Sequence, residues 1–308
     1  MLGFLKQVFA QYGKDKVGQL SGAFAYIAVF SIGPLLLVLV SLVGFIYGQK
    51  AAAGQLYDQL AGAVGPTTAK TLQDVVARTN QTGEGMAALI FGIIGLLLGA
   101  IGLTAQLQNS FDTILRAAPD PKAGIKFMIY TKLKNISLVI MAGLVAIASV
   151  VLSALINGLG KSPALEILNT GVSWLVFVLI LYLIYRVLPD VKIPRLLALK
   201  TAVIVSLLFL IGKVILGFVI GRNGTADAYG AAASLVVLLL WFYYTAQILM
   251  LGAEGIKIYG ENHKVDFLPK RYSVRLKALE VYAKKDLRGR LLDSFSRGYK
   301  QASQKKKT

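Results

Sequence analysis

Long runs of apolar residues alternate with short basic segments along this chain. A helix needs about 20 predominantly apolar residues to cross a hydrocarbon core of about 30 Å. Six stretches meet this requirement, and four of them are free of charged residues, while the fourth holds Arg186 near its end and the fifth holds Lys200 and Lys213. The pattern predicts an all-α polytopic membrane protein with six transmembrane helices. The predicted spans cover residues 22–48, 86–108, 136–157, 167–188, 200–221 and 229–253.

Lysine and arginine predict the orientation, because positively charged loops stay on the cytoplasmic side. With the N-terminus inside, 27 of the 33 basic residues fall in cytoplasmic segments and 5 in external ones. The remaining one, Lys213, lies inside the fifth span. Both termini are therefore predicted to be cytoplasmic. The net charge of +18 is explained by topology, so we predict no nucleic-acid partner.

The chain is predicted to consist of a transmembrane domain, residues 1–260, and a basic cytoplasmic tail, residues 261–308. Within the first domain, residues 50–85 connect the first two spans. We predict that they form a short helical external segment broken at Gly65-Pro66. This segment either covers the outer mouth of the bundle or lies as a hairpin on its surface. Near the N-terminus, Leu2, Leu5, Val8, Phe9 and Tyr12 share one helical face.

The tail repeats apolar residues at helical spacing from Leu276 to Phe295, between many basic residues. A basic amphipathic helix beside a bilayer binds anionic headgroups. The tail is therefore predicted to contact membrane lipids, and the alternative is a solvated, partly disordered tail. The residues predicted to contact the lipid surface are Arg271, Arg275, Lys284, Lys285 and Arg288.

The residue types exclude several kinds of chemistry. The chain has no cysteine and one histidine, His263, so thiolate nucleophiles and clustered cysteine or histidine metal ligands are absent from the sequence. No GxxxxGK[ST] nucleotide-binding motif occurs. We predict a protein that is not an enzyme, with no catalytic residue, metal or cofactor.

Lys213 is the most unusual residue of the predicted spans. It lies 13 residues after Lys200, which places it about 20 Å along the helix. A lysine inside a membrane is costly unless it reaches water, a partner or the interface. Lys213 either binds an anionic group in a cavity or extends its long side chain to the outer headgroups.

Polar residues gather at the inner end of the second span and in the sixth. They either hydrogen-bond between helices or line an aqueous vestibule. As candidate substrate-binding residues we name Lys213, Gln106, Asn109, Asp112, Gln247 and Glu254. In the first span, Pro34 predicts a kink or hinge, since proline removes a backbone donor.

Three stretches carry a resemblance to a known family. They are LSGAFAYIAVFSIGPLLL from Leu20 to Leu37, the segment Gln106–Phe111, and YGAAASLVVLLLWFYYTAQILMLGAE from Tyr229 to Glu254. With them, residues 15–260 resemble the YihY/BrkB family of bacterial inner-membrane proteins. The resemblance implies a six-helix fold in the inner membrane and a role in envelope transport, with lipids as a candidate cargo. The family's older ribonuclease label lacks support here, because the sequence offers no histidine–aspartate metal cluster.

Together these observations predict a transporter or flippase-like protein for an amphipathic, anionic, lipid-like molecule. The alternative is a non-enzymatic membrane scaffold in envelope assembly.

Overall fold

The computed structural model describes residues 2–31, 70, 86–158, 160, 162–222 and 233–276. Nearly all of the predicted external segment, the second half of the first predicted span and the tail beyond Leu276 lie outside these residues. The seven helices and two short strands of the described part are α1 Leu2–Lys14, α2 Val17–Ser31, α3 Met86–Ile114, β1 Ala117–Pro119, α4 Ile125–Gly158, α5 Pro163–Val187, α6 Arg195–Arg222, α7 Ala233–Asn262 and β2 Ser273–Arg275.

Within the described residues, four helices are long and apolar enough to cross a membrane: Ile125–Val145, Pro163–Val187, Arg195–Leu216 and Leu235–Asn262. They correspond to the third to sixth predicted spans. The second predicted span lies within α3, and α2 holds the start of the first. Many apolar side chains of these helices point outward, including Ile167 at 74% and Val214 at 72% exposure, as expected for helices surrounded by lipid. Six spans and the orientation stay predictions.

The helix that contains the third predicted span, residues 136–157, begins eleven residues before it. Helix α4 begins at Ile125 and includes much of the segment taken as a cytoplasmic loop. The apolar residues Ile125, Met128 and Ile129 continue the helical face, and Lys134 is buried rather than solvated. The count of basic residues assigned Lys134 to a loop, because a count of charges cannot show that a lysine is buried beside an acidic partner.

Local sequence explains how α5 starts and ends. Ser162 caps its N-terminus by accepting a hydrogen bond from the Leu165 backbone N–H, and Pro163 occupies the first helical turn. Pro189, just after the helix, cannot continue it. The chain then passes through Asp190 to Pro194 and turns back as α6.

Helices α3 to α7 form a closed circuit of contacts, in which α3 packs against α4, each later helix against the next, and α7 against α3. Their shared core includes Phe111 of α3 and Tyr185 of α5, whose rings stack 5.4 Å apart. A smaller apolar cluster, Leu216, Val237 and Trp241, joins α6 to α7 farther from α5's end. Trp241 follows a run of apolar residues in the sequence and is buried in the structure, as such a run favours.

Two close contacts set the spacing of these helices. The Tyr185 hydroxyl donates to the Leu249 carbonyl at 2.7 Å, and a Cβ on Gly252 would lie 2.3 Å from that hydroxyl. Likewise, the Tyr244 hydroxyl donates to the Leu208 carbonyl, and a Cβ on Gly212 would lie 1.2 Å from it. In both contacts a glycine leaves the space into which a tyrosine of the neighbouring helix fits.

The chain after α7 folds back onto the bundle. Strand β2 pairs antiparallel with β1, so that Arg275 lies opposite Ala117, and Val191 forms an isolated bridge with Pro269. Residues 263–276, the start of the predicted tail, are therefore packed against the helices.

Candidate functional site

Charged side chains gather at one end of the bundle, which we call the polar end. It holds the turn between α1 and α2, the last residues of α3, α5 and α7, the first part of α4, and the segment after α7. Two ionic clusters and one cavity occupy this end.

The first cluster, the Asp190 cluster, consists of Gln108, Asp112, Lys134, Asp190 and Lys270. Lys134 Nζ lies 2.5 Å from Asp190 Oδ1, and Gln108 Nε2 donates to Asp190 Oδ2 at 3.0 Å. Asp112 Oδ1 accepts the Asp190 backbone N–H at 2.7 Å. The Asp190 side chain is only 2% exposed. Since a buried carboxylate is stable only when paired, these contacts fix the loop between α5 and α6 against α3 and α4.

The same lysines bind the C-terminus of α5. Lys270 Nζ donates to the carbonyls of Arg186 and Val187, both at 2.9 Å, and Lys134 Nζ donates to the carbonyl of Leu188 at 2.9 Å. The last carbonyls of a helix lack partners within the helix and carry partial negative charge. The two ammonium groups supply both hydrogen bonds and opposite charge.

Burial, followed by the positive charge of Lys134, lowers the pKa of Lys270 from its ordinary value of 10.5 to about 8. Burial disfavours the charged form of a lysine. The neutral amine still has two N–H groups, enough for the two carbonyls that Lys270 contacts.

The second cluster, the Asp15 cluster, consists of Asp15, Arg116, Glu254 and Lys257. Asp15, in the turn between α1 and α2, pairs with Arg116 Nη2 at 2.5 Å and with Lys257 Nζ. Lys257 also lies 3.4 Å from Glu254 Oε2, one turn earlier on α7. Arg116 is half exposed, whereas the other three side chains are buried. This cluster joins the N-terminal segment to the ends of α3 and α7.

A cavity of about 720 Å³ adjoins the Asp15 cluster. Its basic lining residues are Arg116, Lys257, Lys264 and Arg275, and its apolar walls come from Leu115, Val265, Phe267 and Leu276. Glu261 and Asp266 are its acidic lining residues. The volume falls within the usual range of small-molecule sites, about 300–1,000 Å³.

The four cations of the cavity differ in how far they are already paired. Arg116 and Lys257 are compensated from behind by Asp15 and Glu254. Arg275 donates to the Leu115 carbonyl and to the exposed carboxylate of Asp266. Lys264 is exposed, and its ammonium group makes no hydrogen bond or ion pair with another described residue. Lys264 is therefore the cation most available to an entering anion.

Comparison with known proteins identifies the relatives of this chain. A family model described as Virulence factor BrkB matches residues 8–273. The chain belongs to the BrkB family. This confirms the resemblance found in the sequence.

Curated relatives of this BrkB-family chain are UPF0761 membrane proteins. One from Acinetobacter baylyi is 24% identical over 96% of this chain and 73% of its own length. Another, from Cronobacter sakazakii, is 25% identical over 86% of this chain and 91% of its own. A third, from Aeromonas salmonicida, is 25% identical over 85% and 90%. No solved structure matches the chain.

The structure separates the predicted substrate-binding residues. Asp112 belongs to the Asp190 cluster and Glu254 to the Asp15 cluster. Lys213 is half-buried and follows Arg195, the first residue of α6, by 18 positions, about 27 Å along the helix. It therefore lies far along α6 from Asp190. Its neighbour Gly212 faces Tyr244, ten residues before Glu254 on α7.

The other three candidates are polar positions without a shared contact in the described part. Gln106 and Gln247 are half-buried and Asn109 is exposed. None of the six predicted residues lines the cavity beside the Asp15 cluster. Their role in binding stays a prediction.

Of the remaining predicted residues, only two lie in the described part. Arg271 stacks over the ring of Tyr272 at 4.9 Å, and Arg275 is held by β2 and its two hydrogen bonds. Two of the five guanidinium donors of Arg275 are thus used within the protein. Pro34 and the tail residues Lys284, Lys285 and Arg288 lie outside the described residues.

Sequence reasoning missed the residues that do most of the pairing: Asp15, Lys134, Asp190, Lys257 and Lys270. The three lysines entered the sequence analysis only as topology charges, and the two aspartates did not enter it. One signal could have found two of them. Asp190 is the only acidic residue between Glu166 and Asp227, and Asp15 is the first acidic residue of the chain. An isolated carboxylate among basic residues at a span boundary indicates a buried ion pair.

The described residues contain no group of three or more histidine and acidic side chains placed to hold a metal ion. The single histidine is engaged within α7 and the turn after it: its ring stacks on Tyr259, and Nδ1 lies 3.0 Å from the Tyr259 carbonyl.

Proposed function

We propose that this chain is a transporter or flippase-like protein that moves an amphipathic, anionic, lipid-like molecule across or within the membrane. The observation that carries the proposal is the cavity at the polar end. It combines apolar walls with basic side chains, the two properties that a charged headgroup on an apolar chain requires.

The donors of the cavity suit a phosphate or carboxylate. A guanidinium has five N–H donors in a planar fork that matches such oxygens. Arg116 uses one side-chain contact for Asp15, and Arg275 uses two for Leu115 and Asp266. Both therefore keep donors for a ligand. The four basic side chains of the cavity are offset by four acidic ones: Glu261 and Asp266 in its lining, and Asp15 and Glu254 behind it. Binding would therefore depend on the remaining guanidinium donors and on Lys264 rather than on net charge.

Lys213 supports a path beyond the cavity. It provides a cation well inside the apolar length of α6, where a passing anionic headgroup would gain most from one. We propose that Lys213 contacts the headgroup during transfer. No GxxxxGK[ST] nucleotide-binding motif occurs in the sequence, so ATP drive would come from a partner protein.

Translocation in proteoliposomes tests the proposal. Fluorescent phosphatidylglycerol placed in both leaflets is quenched from outside, with and without a pH gradient, and its transfer is followed over time. We expect transfer faster than in protein-free liposomes, slowed by Lys264→Glu and by Lys213→Leu but not by Lys192→Glu. Lys192 is a suitable control, being exposed at the polar end and outside the cavity lining. Transfer no faster than in empty liposomes under either condition would contradict the proposal.

A membrane scaffold is the second candidate, and the two ionic clusters favour it. They hold the turn before α2 and the ends of α3, α5 and α7 in one arrangement through buried ion pairs. A rigid polar end suits the docking of other envelope proteins. A wild-type protein that is folded but inactive in the translocation assay would favour the scaffold.

We also propose a non-enzymatic role. The sequence has no cysteine, and His263, its only histidine, stacks on Tyr259 at a centroid distance of 4.1 Å. His263 Nδ1 lies 3.0 Å from the Tyr259 carbonyl rather than beside a hydroxyl nucleophile, which is the arrangement that histidine-activated catalysis requires. Release of a headgroup or acyl chain from phospholipid by the purified protein would contradict this.

A further inference from the structure

Helix α1 presents two different faces. Val8 is buried at 4% exposure, and Tyr12 packs against the core. Leu5 and Phe9, one turn apart on a neighbouring strip of the helix, are 44% and 63% exposed. The buried strip explains how α1 attaches to the bundle. The exposed strip has no described partner, although a phenylalanine and a leucine side by side are costly in water.

Two contacts fix the position of α1. Only Asp15 and Lys16 separate it from α2, and Asp15 is bound to Arg116 and Lys257. Midway along the helix, Gln7 Oε1 accepts a hydrogen bond from Asn262 Nδ2 at 2.9 Å. Helix α1 is therefore held along the last turns of α7, with little freedom to move away.

This position lies at the boundary of the apolar bundle. The candidate membrane span of α7 ends at Asn262, and the apolar helix α2 begins at Val17. Both contact points of α1 are thus at the level where apolar helix surface gives way to charged side chains. In a membrane protein this level is the lipid–water interface, where amphipathic helices lie with their apolar strip in the acyl boundary.

The charges on and after α1 fit the same location. Lys6, Lys14 and Lys16 are all exposed, and the helix itself has no acidic residue. Lysine side chains extend toward headgroup phosphates while their carbon stems stay in apolar surroundings. A phospholipid leaflet is the partner that fits the apolar strip of α1, its exposed lysines and its position at the end of the bundle.

We propose that α1 is an interfacial helix whose Leu5 and Phe9 insert into the acyl region of the leaflet at the polar end, with Lys6, Lys14 and Lys16 at the headgroups. This inference is independent of the proposed transport function. The alternatives are a second copy of the chain packed on the same strip and exposure of the strip to water. Spin labels on the strip distinguish all three arrangements by their accessibility to oxygen and to a water-soluble nickel complex.

Spin labelling tests the proposal directly, because the chain contains no cysteine and every introduced cysteine is unique. Leu5→Cys, Phe9→Cys and Ala10→Cys are labelled with a nitroxide in the full chain, reconstituted in phosphatidylethanolamine–phosphatidylglycerol vesicles. All three positions are exposed, so these changes leave the core intact. Collisions with oxygen, which concentrates in lipid, are compared with collisions with a water-soluble nickel complex.

We expect the ratio of oxygen to nickel accessibility to be several-fold higher at positions 5 and 9 than at position 10. High nickel accessibility at all three positions would place α1 in water and overturn the proposal. Low accessibility to both reagents at positions 5 and 9, with dipolar broadening between labels, would overturn it in favour of a second copy of the chain.

Discussion

The polar end and the apolar interior hold the same helices together by different means. At the polar end, buried charges meet across long stretches of sequence, as Lys134 and Asp190 do. In the interior, the helices approach through glycine, and a tyrosine hydroxyl bonds to a carbonyl already used within its helix, as in Tyr185 with Leu249. The interior contacts add a bond without burying a charge, whereas each ion pair has a large desolvation cost.

This contrast indicates that the polar end is specialised for holding the helices in position rather than for stability alone. A buried ion pair is weak evidence of stabilisation, since apolar residues of the same volume often do as well. A buried ion pair does, however, hold its two side chains in one geometry, and removing either side chain leaves the other charge buried and unpaired. The four predictions below test this contrast in mixed micelles, by unfolding with denaturing detergent followed by circular dichroism.

The largest effect is expected from Asp190→Ala. It leaves Lys134 buried without its carboxylate and removes the acceptor of Gln108. We expect a loss of about 3–5 kcal/mol in the free energy of unfolding. Asp266→Ala serves as the control, because this side chain is 93% exposed in its pair with Arg275, and a surface pair contributes about 1 kcal/mol or less. Equal losses in the two variants would remove the distinction between buried and surface pairs.

Gly252→Ala is expected to cost about 1–3 kcal/mol by overpacking. The new methyl group would lie 2.3 Å from the Tyr185 hydroxyl and 2.7 Å from Val205. Gly255→Ala, on the same helix, meets nothing within 4 Å. That control should gain about 0.5–1 kcal/mol, since alanine favours the helix. If both variants were equally stable, the close approach of α5, α6 and α7 would be wrong.

The pH dependence of unfolding is expected to show the titration of Lys270. Its pKa is about 8 in the folded protein and 10.5 ordinarily. Between these values the unfolded chain binds a proton that the folded chain has released. Stability from this group therefore rises with pH across the window, by on the order of 1 kcal/mol per pH unit. It is constant below pH 8.

The readout is the difference in unfolding free energy between wild type and Lys270→Met at several pH values. The difference should move in favour of wild type from pH 8 to 10. A flat difference would show that Lys270 keeps its ordinary pKa and is less buried than the Asp190 cluster requires.

The smallest effect is expected from Tyr185→Phe, about 1 kcal/mol, the usual net contribution of one hydrogen bond. The Leu249 carbonyl keeps its bond within α7, so no buried acceptor is left alone. Tyr26→Phe, at a site 63% exposed, should change stability by less. A loss as large as that of Asp190→Ala would mean that interior and polar end are not distinct.

The apolar runs of the sequence predicted where most described helices lie. The start of α4 was missed, because Lys134 in a basic segment looks like a loop residue until its buried partner is known. The BrkB-family motif from Tyr229 to Glu254 contains Tyr244 and Gly252, but the close contacts of these residues depend on how the helices pack.

The pairing at the polar end was beyond sequence reasoning. Lys134 and Asp190 are 56 residues apart, and Lys257 and Asp15 are 242 apart. Nothing local links such partners, since they meet only once the helices are arranged. The cavity has the same origin, being built from the end of α3, the end of α7 and β2. Lys213, by contrast, was visible from sequence because its local surroundings are apolar.

Native mass spectrometry of the purified protein tests most directly whether the cavity binds an anionic amphipath. Wild type, Lys264→Glu and Lys192→Glu are released from the same detergent, and the lipids that remain bound are identified. We expect a defined anionic phospholipid on wild type and on Lys192→Glu, and its loss from Lys264→Glu. The same mixture of lipids on all three proteins would contradict a headgroup site in the cavity.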